Sequence, residues 1–74
     1  KSEAALLLES RLGQRFDALV TGAGPDGIWV RILTPPAEGK LVGGDGALRV
    51  GDKLRVKLVS VNVERGFIDF VRVD

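Results

Sequence analysis

Trp29 is the single tryptophan of the chain, and it sits in the run Gly27-Ile-Trp-Val-Arg-Ile32. If Ile28, Val30 and Ile32 fill a core, strand parity turns the indole outward, beside Arg31. An outward indole next to a guanidinium suits the stacking of a nucleobase, a contact worth about 1–3 kcal/mol per base. The same ring equally suits contact with a covering helix or a neighbouring domain. Phe67 also points outward by parity, beside the turn that precedes it, and has the same two readings: a second stacking surface, or packing for a loop. Lys53, Arg55 and Lys57 make an outward row of cations at period two, either a phosphate track or an ordinary solvated strand face.

Other chemistry finds less support. The sequence has no Cys and no His, so it lacks disulfides, the usual zinc ligands and any nucleophile–histidine pair. Ser60 has no histidine to activate it. Asp17, Asp26, Glu38, Asp45, Asp52, Glu64 and Asp69 fall on different elements, with no pair spaced for metal binding or acid–base work. Gly22-Ala-Gly24-Pro-Asp-Gly27 has the spacing of a dinucleotide fingerprint, but a strand follows it where the pyrophosphate site requires a helix N-terminus. A hairpin loop explains it better. Catalysis by this segment alone is not expected.

The elements that would position these residues can be read from hydrophobic period. Residues 2 to 12 read as a helix: Ser2 suits the cap, Ala4, Ala5, Leu8 and Leu12 recur at helical spacing, and Gly13 suits the left-handed stop. Thereafter the period is two. Phe16, Ala18 and Val20 mark a first strand, residues 22 to 27 a glycine-rich turn or loop, and residues 28 to 33 a second strand that Pro35 and Pro36 end. Residues 38 to 42 are a short third strand, 43 to 47 a flexible loop, and Leu48 and Val50 lead the chain back. Leu54, Val56 and Leu58 alternate in a fourth strand with a bulge near Ser60. After the turn at Glu64-Arg-Gly66, Ile68 and Phe70 face one way in the last strand, and Phe67, Asp69 and Val71 the other.

Five short strands in 74 residues favour a small closed barrel over a sandwich. Ten of those residues are glycine, about twice the usual share of roughly 7%, as bent strands and tight turns require. Eleven basic against ten acidic side chains exclude a protein that coats nucleic acid through bulk charge, so any polyanion site is local. No apolar run approaches the roughly 18 residues of a membrane span. A start at Lys1 within a helical pattern, with no methionine anywhere, suggests a segment of a longer protein.

Taken together, these residues resemble the S-one RNA-binding domain, an OB-fold module. The likeness rests on Phe16-Asp-Ala-Leu-Val20, Gly27-Ile-Trp-Val30, Glu38-Gly39 and Val50-Gly-Asp-Lys-Leu-Arg-Val56, and spans about residues 13 to 73. Arg31-Ile-Leu-Thr-Pro-Pro-Ala-Glu-Gly39, Arg65-Gly-Phe-Ile-Asp-Phe70 and the leading helix are most similar to the C-terminal domain of bacterial RNase II-type exoribonucleases. The resemblance implies an all-β, five-stranded OB-fold barrel over residues 13–74, behind a short linker helix over residues 1–12 from an upstream domain.

It further implies a cytoplasmic parent that shortens single-stranded RNA from its 3′ end, using magnesium held by an upstream catalytic domain, with no cofactor in this segment. RNA would meet Trp29, Arg31 and Lys40, with Phe67 and Asn62 at the edge. Some positions depart from the family pattern. Asp26 stands where an aromatic often precedes the glycine, Val42 lies near a common histidine position, Asn62 replaces a common aspartate, and Phe67 replaces a basic residue. These departures fit a module that works beside a catalytic channel better than a strong autonomous binder.

Overall fold

A computed structural model describes residues 3–43 and 46–74. The chain runs through a helix α1 (Glu3–Leu8), one 3-10 turn (Glu9–Arg11), and strands β1 (Arg15–Gly24), β2 (Gly27–Ile32), β3 (Ala37–Gly43), β4 (Lys53–Asn62) and β5 (Phe67–Arg72). The strands close in the order β1-β2-β3-β5-β4. All neighbours are antiparallel except β3 and β5, which run parallel. This is the five-stranded OB-fold barrel expected from the sequence. Among the described residues no helix is long and apolar enough to cross a membrane.

Alternation fills the interior. Phe16, Ala18 and Val20 of β1, Val30 and Ile32 of β2, Leu54, Val56 and Leu58 of β4, and Ile68 and Phe70 of β5 are all buried. Phe16 and Phe70 meet edge to face with centroids 6.4 Å apart, a geometry that aligns a ring edge with a π-face. Ala5 and Leu8 of α1 are fully buried in the same cluster, so the helix shares the core of the barrel. Burying each large side chain contributes about 1.5–3 kcal/mol.

The structure differs from the sequence reading in four places. The helix is shorter than residues 2 to 12, and Leu12, expected on its apolar stripe, is exposed. The chain swings away there: Gly13 has φ +87° and its N–H donates to the Leu58 carbonyl at 2.8 Å. Ser2, the expected cap, lies outside the described residues, as do Gly44 and Asp45 of the second loop. The expected loop over residues 22 to 27 is mostly strand, with only Pro25 and Asp26 between the paired Gly24 and Gly27. Glycine-rich backbone forms a twisted hairpin here, with Gly27 at φ +133°.

The fourth difference is Val50, which is exposed and does not carry the chain back to the barrel, although Leu48 does pack on the core. Hydrogen bonds return the chain instead. The Gly51 N–H donates to the Val20 carbonyl, the Val20 N–H to the Asp52 carbonyl, and the Arg49 N–H to Asp52 Oδ2, all at 2.8–2.9 Å. The bulge expected near Ser60 is present, with a register shift between Leu58 and Ser60. Two others, between Val20 and Gly22 and between Leu41 and Gly43, carry no clear hydrophobic signature.

Barrel closure depends on one bare backbone position. A Cβ at Gly39 would lie 2.5 Å from the Ile68 carbonyl oxygen and 2.7 Å from Phe70 Cε2. Neither neighbour can yield cheaply, since one is backbone and the other a fully buried ring. Gly39→Ala is therefore expected to destabilise the fold by about 1–3 kcal/mol, the usual range for overpacking, read as a lower urea midpoint.

The end of the chain is tied down electrostatically. Arg72 Nε donates to Asp74 Oδ1 at 2.6 Å and the Arg55 N–H to Oδ2 at 3.1 Å. The Arg72 bond, then the Arg55 bond, hold this carboxyl below its ordinary value of 3.8. A lowered folded-state value means that the stabilisation is present above the unfolded value and fades as pH falls through the folded one. Asp74→Asn is expected to lower the melting temperature slightly at neutral pH, and the gap to wild type is expected to close in acid.

Candidate nucleic-acid interface

With Val30 and Ile32 committed to the core, Trp29 faces outward and is 41% exposed. The bulge in β1 decides what lies beneath it. Thr21 is the extra residue, so Gly22 rather than Thr21 pairs with Trp29. A Cβ at Gly22 would stand 3.3 Å from Trp29 Cδ1, which places the indole over bare backbone. On the other side Trp29 pairs with Lys40, and Lys40 with Asp69. One row across the sheet therefore reads Gly22, Trp29, Lys40, Asp69.

The Lys40 stem leans along β2 towards the hairpin tip. Its Cε would lie 2.9 Å from a Cβ at Gly27, so glycine leaves the channel that the lysine occupies. Phe67, at the start of β5, is 58% exposed. Together Trp29, Glu38, Gly39, Lys40 and residues 66–69 line a cleft of about 350 Å³. It holds two aromatic rings, one lysine and two carboxylates, Glu38 and Asp69. Thr21 Oγ1 donates to Glu38 Oε2 at 2.6 Å. That bond crosses β2, since β1 and β3 flank it.

Of the five side chains expected to meet RNA, the structure brings Trp29, Lys40 and Phe67 together. Arg31 faces outward as well but lines a different hollow, of about 620 Å³, with Leu19, Leu33 and Lys53. Asn62 shapes the β4–β5 turn instead, its Oδ1 accepting from the Arg65 N–H at 3.0 Å and its carbonyl from the Gly66 N–H at 2.7 Å. In the Lys53–Arg55–Lys57 row, Arg55 meets Asp17 at 3.3 Å in an exposed pair of little energetic weight. None of the three lines the aromatic cleft.

Glu38 and Asp69 were not singled out in the sequence, where the acidic residues look scattered. Parity places Glu38 on the face of Lys40 and Asp69 on the face of Phe67. What sequence does not reveal is that β3 and β5 are parallel neighbours, and that pairing joins the two faces. Among the described residues no three acidic, His or Cys side chains come together to hold a metal ion.

A closed five-stranded barrel with aromatic rings on the outer face of its second strand and at the head of its fifth is, in class, an OB-fold nucleic-acid-binding domain. More particularly, the chain belongs to the family of the RNase II-type exonuclease C-terminal S1 domain, whose model matches residues 14–73. It is also 32% identical over 78 residues to the polyribonucleotide nucleotidyltransferase of Deinococcus deserti (strain DSM 17065 / CIP 109153 / LMG 22923 / VCD115), a match covering 93% of this chain. The chain spans 11% of the length of that curated relative. The S-one class makes RNA the ligand type.

The cleft aromatics and the core aromatics separate function from stability. Phe67→Ala is expected to change unfolding free energy by no more than about 0.5 kcal/mol, as for an exposed side chain. Phe70→Ala, three residues on and fully buried, is expected to cost about 3–5 kcal/mol in the same denaturant titration.

Proposed function

We propose that this domain grips single-stranded RNA as the C-terminal module of a 3′-to-5′ exoribonuclease of the RNase II type and guides the strand towards the parent's catalytic domain. The observation that carries the reading is the pair Trp29 and Phe67, partly exposed at one cleft beside Lys40. Aromatic faces accept bases without regard to sequence, and a cation beside them takes a phosphate. Family membership supports the parent's activity, and the name of the Deinococcus relative also points to polyribonucleotide as the shared substrate type.

In this reading the upstream domain performs the hydrolysis with magnesium in a cytoplasmic enzyme, and no step runs through a metal in the present domain. The domain needs only to bind and orient. A structural role is the second reading, and it has its own observation: Leu6 and Leu7 of α1 and Leu12 after it are each more than half exposed. None of them lines the cleft, so a body packed on the helix would leave the cleft available.

Trp29→Ala is expected to weaken RNA oligomer binding by about 1–3 kcal/mol at matched low salt, with the melting temperature nearly unchanged. Equal affinity of variant and wild type would reject the stacking surface. In the full-length parent without RNA, acrylamide quenching of Trp29 is expected. A shielded indole there would favour domain packing over base stacking.

A further inference from the structure

The cleft carries more negative than positive charge: Glu38 and Asp69 face it, against Lys40 alone. Lys40 can take one phosphate, but the cleft as a whole is a poor cradle for more. It is a good one for the edge of a base that presents N–H groups. The charges are also ordered along β2. Lys40 extends past Trp29 towards Gly27, while Glu38 lies at the opposite end, paired in register with Arg31. Gly27 and Arg31 are four residues apart, about 13 Å along the strand, with the indole midway. A nucleotide stacked on that indole would direct its phosphate to one end and its base edge to the other.

Glu38 is oriented for such a task. The Thr21 hydroxyl holds Oε2 at 2.6 Å, and no ion pair to Arg31 or Lys40 forms among the described residues. A carboxylate accepts about four hydrogen bonds, so one bond from Thr21 leaves acceptor sites on both oxygens.

Resting on the RNA-binding reading above, we propose that Glu38 makes the cleft selective for guanine at the position stacked on Trp29, with the attached phosphate on Lys40. Guanine alone presents two adjacent donors, N1–H and the 2-amino group, and these match the two oxygens of a carboxylate. Adenine and cytosine each set one amino group beside a ring-nitrogen acceptor. Uracil flanks its single N–H with two carbonyl oxygens, which a carboxylate repels. Thr21 is a positioning residue, since it acts only through Glu38.

The test uses the 74-residue chain and 5′-fluorescein-labelled oligouridine hexamers in which one internal position is uridine, guanosine or inosine, with binding read by fluorescence anisotropy of the label. Wild type is expected to bind the guanosine hexamer about tenfold more tightly than the all-uridine one, the discrimination typical of a bidentate base contact. Inosine, which lacks the 2-amino group, is expected to fall between. Glu38→Gln keeps an acceptor for Thr21 but replaces one acceptor with a donor, and is expected to bring guanosine and uridine within about twofold of each other. Since a single lysine meets phosphate, log affinity is expected to fall with log salt at a slope of roughly −0.7.

Equal affinity for the guanosine and uridine hexamers in wild type overturns the proposal, as does a guanosine preference that survives Glu38→Gln. The stacking reading fails separately: Trp29→Ala would then bind every hexamer as wild type does. If the wild-type chain binds none of the hexamers, both fall.

Discussion

Everything at the cleft depends on how closely β5 lies against β3. Among the described residues these are the only parallel neighbours in the barrel, and their approach puts the Ile68 carbonyl where any side chain at position 39 would stand. A parallel pairing joins strands distant in sequence, so neither a tight turn nor local propensity can enforce it. The missing Cβ at Gly39 permits it, and the buried Ile68 and Phe70 reward it. Closing that seam removes the last free edge. It also sets Phe67 and Asp69 beside Lys40 and Trp29, which is how residues from three strands come to share one hollow.

Much of this was legible in the order of residues. Val30 and Ile32 point inward and Trp29 outward because a strand has a period of two, and nothing in the tertiary structure overrides that rule on β2. The bulge near Ser60 was readable because Val59 and Val61 break the alternation of Leu54, Val56 and Leu58. The one at Thr21 was not, because Gly22, Ala23 and Gly24 are too small to show which face they take. The same glycines read as a loop, since they suit a turn and a bent strand equally well. Leu12 shows the reverse error: its spacing belongs to a helix, but Gly13 redirects the chain one residue later towards Leu58.

At the cleft the fold brings the two rings and the lysine together, while Arg31 and Asn62 lie apart from them. Arg31 lies two positions from Trp29 on the same face, but adjacency on one strand is not adjacency at one site. The Thr21–Glu38 bond crosses β2, and Arg31 opens instead onto the hollow lined by Leu19 and Leu33. Asn62 is occupied by the turn it forms. Side-chain hydrogen bonds of this kind depend on which strands are neighbours, and a single chain read linearly does not state that. The meeting of Glu38 and Asp69 at one cleft is hidden in the sequence for the same reason.

The extra residue in β1 separates two properties that a straight strand would fuse. Val20 and Gly22 keep their partners Val30 and Trp29 with Thr21 looped between them, so the ladder on either side is complete without it. A sister sequence one residue shorter at that point would retain the barrel and the bed under the indole, yet lose the hydroxyl tether on Glu38. Discrimination among ligands would thus be adjustable by a single-codon insertion or deletion, without disturbing the hydrophobic interior.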